Sequence, residues 1–181
     1  LKKYPFIVVK GESGIGKTTF LKKVGIEAFD VDEKFIVGDT HMPVFLEIPR
    51  KQPDQIDFRE MIKKEFEICG FPECDDFTDS ALKKGKLLIL IDNLDYLPIK
   101  NQRQVLEKLD QFSDSYNSNR FILACQDSMA TQILDKYHDI HLVGFGSNQI
   151  RLYIQNIEKQ GYQKNNLKTD YVRQAYALAL S

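Results

Sequence analysis

The sequence predicts an α/β fold: a parallel β-sheet flanked by helices, followed by the start of a helical domain. Three observations predict it. Short runs that are apolar throughout alternate with stretches of helical spacing, the pattern of strands linked by crossover helices. The strands lack a polar/apolar alternation, so both faces of their sheet must be covered. A glycine-rich segment with Gly11, Gly14 and Gly16 joins the first strand to the first helix.

Each element has its own signal. Phe6-Ile7-Val8-Val9 is a buried strand that runs into the glycine segment. From Thr18 to about Phe29 the apolar positions Phe20, Leu21, Val24 and Ala28 share one helical face. Pro43 to Ile48 is a second strand, stopped by Pro49. Phe58, Met61, Ile62, Phe66 and Cys69 keep helical spacing until Gly70 and Pro72. Lys86-Leu87-Leu88-Ile89-Leu90-Ile91-Asp92 is the strongest strand signal in the chain. Val105, Leu106, Leu109, Phe112 and Tyr116 mark a further helix, Phe121–Cys125 a fourth strand and Ile140–Val143 a short fifth. Ser147 is placed to cap a helix carrying Ile150, Tyr153, Ile154 and Ile157, closed by Gly161. Thr169 opens a last helix with Tyr171, Val172, Ala175, Tyr176, Ala179 and Leu180. Residues 1–143 therefore read as the α/β domain. Residues 144–181, after Gly144-Phe145-Gly146, read as the truncated beginning of a helical domain.

Composition narrows the classes. A chain of 181 residues with 43% hydrophobic and 28% charged residues is an ordinary globular one. With 25 basic and 26 acidic residues the net charge is −1, which predicts no direct nucleic-acid partner and no anionic membrane surface. No apolar run approaches the ~20 residues of a membrane span. The odd cysteine count (Cys69, Cys74, Cys125) and the lack of a signal segment predict reduced thiols and a cytoplasmic location. Cys125, inside an apolar run, reads as a buried thiol, and His138 and His141 read as solvated surface residues. The chain begins with Leu1, as an excised piece of a longer protein would.

The chemistry concentrates in Gly11-Glu12-Ser13-Gly14-Ile15-Gly16-Lys17-Thr18, a full match to the phosphate-binding pattern G-x-x-x-x-G-K-[ST] between a strand and a helix. Glycines let the backbone curl with its N–H groups inward, and the helix adds unsatisfied N–H groups and a positive dipole end. Lys17 supplies a point charge for the β- and γ-phosphates and Thr18 a hydroxyl for Mg²⁺. Asp92, at the carboxyl end of its strand, is placed to hold Mg²⁺, mostly through water. Asp95 could position an attacking water. The alternative reading makes Asp95 a helix cap or turn residue. Lys17 and Asp95 are thus the candidate catalytic residues, each in its own role, and Thr18 and Asp92 the candidate metal ligands. No Asn-Lys-x-Asp run marks a guanine site, which favours adenine, and Arg50, Arg59 and Arg103 frame no lid of the kind small-molecule kinases use.

Here the residues resemble a family: the NACHT NTPase domains of the signal-transduction ATPases with numerous domains, a class of P-loop NTPases. Residues 11–19, ending Lys17-Thr18-Thr19, are similar to its phosphate loop. Residues 42–48 resemble its second strand, and Leu87–Leu97 its apolar strand followed by D-G-L-D-E. Phe121–Gln126 lies where the family has a sensor strand, and residues 143–154 resemble the beginning of its helical domain. The resemblance implies a five-stranded parallel sheet of order 5-1-4-3-2. It implies Mg²⁺ with ATP or ADP, nucleotide contacts from Thr19 and Gln126, and self-association through this domain in the full-length protein. It also implies a molecular switch in signalling, innate immunity or antiviral defence. Three positions depart from the pattern. Asn93 replaces a small residue, Tyr96 replaces the acid after the second Asp, and Gln126 stands where an arginine commonly senses the γ-phosphate.

Two functions follow as expectations: a regulatory ATPase that hydrolyses slowly, or a non-hydrolysing scaffold with structural nucleotide. An AAA+ remodelling motor ranks third, because no arginine-finger segment precedes the fourth strand.

Overall fold

The computed structural model describes residues 3–29, 41–50, 55–129 and 134–159. It divides into two compact units, residues 1–142 and 143–181. In the first, the element order is β1 (Phe6–Lys10), α1 (Lys17–Phe29), β2 (Met42–Glu47), α2 (Phe58–Ile68), α3 (Cys74–Lys83), β3 (Leu87–Asp92), α4 (Ile99–Ser115), β4 (Arg120–Cys125) and β5 (His138–His141). A short 3-10 turn, Leu94–Tyr96, follows β3.

The five strands form one parallel sheet of order β2-β3-β4-β1-β5, the order expected. Period-two geometry splits β3 between two cores. Leu88 and Leu90 join Ile7, Val9, Ile122 and Ala124 beneath Leu21 and Val24 of α1. Ile89 and Ile91 join Val8, Phe121 and Leu123 beneath α2, α3 and α4. Gly25 lets α1 approach the sheet closely: a Cβ there would lie 3.0 Å from Leu90 Cδ1.

At the amino edge of the sheet, the fully buried Asn119 ties three elements together. Its Oδ1 accepts from Leu87 N–H (3.0 Å), and its Nδ2 donates to the carbonyls of Leu82 (2.8 Å) and Tyr116 (3.0 Å).

The structure departs from expectation in three places. Helix α3 was not anticipated. Its buried positions are Thr78, Ala81 and Leu82, and Thr78 satisfies its hydroxyl on the Cys74 carbonyl at 2.6 Å, so a polar residue sits where an apolar marker would be sought. Strand β5 begins at His138, two residues before the anticipated Ile140. Backbone pairing of Ile7 with His138 sets it, and the strand is largely exposed, so it carries no apolar run. Ser147 is the first residue of α5 (Ser147–Lys159) in the second unit, with Ile150 N–H donating to the Gly146 carbonyl at 3.0 Å; it is not the cap. The helix anticipated from Thr169 lies outside the described residues.

Candidate nucleotide-binding site

The site is built at the carboxyl edge of the sheet. Strand β1 ends at Lys10 and helix α1 begins at Lys17, so the glycine-rich loop spans the gap between them. Gly11 has no room for a side chain: a Cβ would lie 2.9 Å from Ile15 Cγ2 and 3.2 Å from the Leu142 carbonyl. Gly14 (φ 78°) and Gly16 (φ 103°) take left-handed backbone that L side chains rarely adopt. Glu12, Ser13, Gly14 and Thr19 are exposed, whereas Ile15, Gly16 and Thr18 are half-buried.

Lys17 is only 8% exposed despite its charge. Its Nζ donates to the carbonyls of Gly11 and Glu12, both at 3.0 Å. It also lies 3.7 Å from Asp95 Oδ2. At an effective dielectric of ~20 that separation corresponds to roughly 4 kcal/mol of attraction before desolvation is subtracted. The lysine is therefore held at the mouth of the loop as a fixed charge.

Asp92 ends β3 and is 3% exposed. Its Oδ1 accepts from Asn93 N–H at 2.9 Å, while Oδ2 is buried with no hydrogen-bond partner. A buried carboxylate oxygen without a donor is costly, and a cation relieves it. The donor set fits Mg²⁺, which needs few protein ligands and takes the rest from phosphate and water. Among the described residues no group of three His, Cys, Asp or Glu side chains converges on a metal unaided.

Gln126 follows β4, the strand between β1 and β3, which puts it at the same sheet edge as the phosphate loop and Asp92. It is half-buried, and its carbonyl accepts from Met129 N–H at 3.0 Å. Tyr96 is half-exposed, with the Arg50 guanidinium 4.2 Å from its ring centroid. The Lys17–Asp95 pair and the Arg50–Tyr96 stack were not anticipated, since neither has a fixed sequence spacing. Beneath the site lies Cys125, free and fully buried, whose thiol is pushed up to about 12, chiefly by burial. The solvated reading of His138 and His141 holds only in part. Both are exposed, but His138 stacks on Tyr4 at 3.9 Å and His141 Nδ1 lies 3.1 Å from Asp127 Oδ1.

A family model described as an AAA domain matches residues 2–134, which hold the loop, both acids and the whole sheet strand set up to β4. The chain belongs to the AAA family. With its complete phosphate loop this AAA domain is a nucleotide-binding P-loop NTPase module. It is similar in fold to the Aeropyrum pernix Orc1 protein in complex with DNA, with a TM-score of 0.56 at 13% identity over 86% of this chain and 44% of that one. It is also similar to AMPPCP-bound DnaA from Aquifex aeolicus, with a TM-score of 0.50 at 14% identity over 97% of this chain and 54% of that one. The chain thus spans about half the length of the solved chains it matches. No curated protein matches the sequence.

Two expectations change with these findings. The AAA+ remodelling motor was ranked third for want of an arginine-finger segment, yet AAA is the family the chain belongs to. The absence of a nucleic-acid partner, read from a net charge of −1, is overturned: the Orc1 protein of this fold is in complex with DNA. Net charge sums the whole surface and does not report a local basic patch. No helix among the described residues is long and apolar enough to cross a membrane.

Proposed function

We propose that this AAA domain binds Mg²⁺-ATP and hydrolyses it slowly, as the regulatory switch of a larger signalling or defence protein of NACHT type. One observation carries the reading: a buried Lys17 paired with Asp95 stands at the same sheet edge as Asp92, whose buried Oδ2 has no partner. In this reading residues 11–19 hold the phosphates and Lys17 neutralises the β/γ oxygens. Asp92 and the Thr18 hydroxyl would hold Mg²⁺, which supplies charge neutralisation when bound. Asp95 orients the attacking water, and Gln126 contacts the γ-phosphate. Self-association through this domain belongs to the full-length protein, and residues 144–181 begin its helical domain.

A second reading is favoured by one specific feature. Tyr96, where an acid is usual, is stacked beneath Arg50, and Asp95 is already engaged with Lys17. In that arrangement ADP or ATP is structural and the module is an interaction scaffold. Single-turnover assays with protein in excess over labelled ATP separate the two. Slow conversion that Asp95→Asn slows further, with ATP affinity unchanged, supports the switch. ATP recovered intact from the wild-type protein supports the scaffold. Asp92→Asn should weaken the Mg²⁺ dependence of binding. DNA belongs in the same titrations, because a protein of the same fold is in complex with it.

A further inference from the structure

Asn93 and Leu94 separate the two acids of the site, and the Asn93 backbone is left-handed, at φ 68° and ψ 17°. Glu73 (φ 49°) is the other non-glycine residue with positive φ among the described residues. Glycine takes this conformation freely and asparagine tolerates it, whereas a β-branched residue there is a genuine outlier.

Two hydrogen bonds flank the residue, one on each of its peptide planes, and its φ and ψ set the angle between those planes. The Asn93 N–H donates to Asp92 Oδ1 at 2.9 Å, and the Asn93 carbonyl accepts from Tyr96 N–H at 3.1 Å, closing the 3-10 turn. Leu94, wholly buried, pins that turn to the core. The outcome is visible at both acids. Asp95 Oδ2 comes within 3.7 Å of Lys17 Nζ, and Asp92 keeps one oxygen, Oδ2, without a partner.

We propose that Asn93 is a positioning residue whose left-handed backbone sets Asp92 and Asp95 together. Its N–H occupies one oxygen of Asp92 and leaves the other for a cation, while its turn carries Asp95 to Lys17. The inference rests on the nucleotide-site reading. The role lies in the backbone, so a glycine, which replaces the amide with nothing, performs it equally well. This accounts for asparagine at a position where the resembling pattern has a small residue: both are residues that accept positive φ.

The test uses the whole chain and reads two quantities, ATP affinity with Mg²⁺ or with EDTA, and single-turnover rate. Asn93→Gly is expected to stay within about twofold of wild type in both. Asn93→Val is expected to lose roughly 5- to 30-fold in the Mg²⁺ enhancement of ATP affinity, the population penalty for forcing an unsuitable residue into this conformation. Its affinity in EDTA should be unchanged, because the phosphate loop is untouched, and its turnover should fall with the Mg²⁺ enhancement. Where Asn93→Val does not fold by circular dichroism, Asn93→Ala carries the same expectation at the lower end of that range. Asn93→Gly losing as much as Asn93→Val would overturn the proposal by placing the role in the side chain. So would Asn93→Val, or Asn93→Ala in its place, behaving as wild type. A wild-type protein that binds ATP no better with Mg²⁺ than with EDTA would overturn both this inference and the cation reading of Asp92.

Discussion

Replacing Asn119 with alanine removes three hydrogen bonds from a site with no access to water, and the neighbouring bonds decide the size of the effect. The Leu82 carbonyl keeps a second donor, Gly85 N–H at 3.2 Å, and the Tyr116 carbonyl keeps Asn119's own N–H at 3.0 Å. Leu87 N–H, in a fully buried residue, loses its acceptor. One orphaned buried donor costs roughly 1–3 kcal/mol, and each of two carbonyl bonds lost with a second partner retained adds about 0.5 kcal/mol. Asn119→Ala is therefore expected to destabilise by about 2–4 kcal/mol. With a urea dependence of about 2 kcal/mol per molar, the unfolding midpoint falls by roughly 1–2 M at unchanged slope. Asn119→Asp is the sharper control. It retains an acceptor for Leu87 but sets a carboxylate oxygen against two carbonyls, so it should be no more stable than the alanine variant. Urea unfolding followed by circular dichroism measures both. A midpoint within about 0.2 M of wild type for either variant would refute the reasoning, because a buried amide bonded on both sides cannot then be tying the elements together.

Three further outcomes follow from the site. Lys17→Ala should weaken ATP binding by about 2–5 kcal/mol, the loss of one partner of a buried charge pair, and titration with fluorescent ATP should show it; equal affinity would remove Lys17 from the phosphate site. Gln126→Arg should raise the preference for ATP over ADP by roughly fivefold to tenfold by calorimetry in the full-length protein, since a charged donor replaces a neutral one; an unchanged ratio makes Gln126 a bystander. The Cys125 thiol, raised to about 12 from an ordinary 9.0, stays neutral in the folded protein while the unfolded chain ionises. Its contribution to stability is complete below pH 9, falls as pH rises through that value and is gone above about 12. A Cys125→Ala variant should lose that part of the alkaline decline, and thiol reagents at pH 8 should reach Cys125 only on unfolding.

What the sequence disclosed and what it withheld have separate physical causes. Strands β1, β3 and β4 are continuous apolar runs because they are buried on both faces, and the phosphate loop declares itself because glycine is the residue its backbone demands. Helix α3 was hidden by Thr78, a buried polar residue that settles its hydroxyl locally, and β5 by its place at an exposed edge, where pairing rather than burial sets the register. The position of Asp92 was legible from the end of its strand. Its unpartnered oxygen was not, because it depends on what the fold buries around it, nor was the approach of Asp95 to Lys17, which follows a left-handed turn at Asn93 that no apolar pattern records. Asn119 gave no signal either, since a buried asparagine reads as a loop residue until its three partners are brought together from distant elements.

The sheet order has a temporal side. Strand β1 is the first to be synthesised, yet it is flanked by β4 and β5, and Phe6 pairs with Phe121. More than a hundred residues separate the two, so at ~5–20 residues per second the ribosome needs roughly 5–20 s between making the phosphate loop and making the strand that seats it. During that interval Ile7, Val8 and Val9, wholly buried in the finished sheet, have no native strand beside them. Nascent chains of this protein thus carry an apolar strand in waiting next to an unformed nucleotide site, a period in which a chaperone that covers extended apolar segments would find its substrate. A nucleotide that needs the finished sheet edge would stabilise the last stage of folding, after β4 has docked, and not the first.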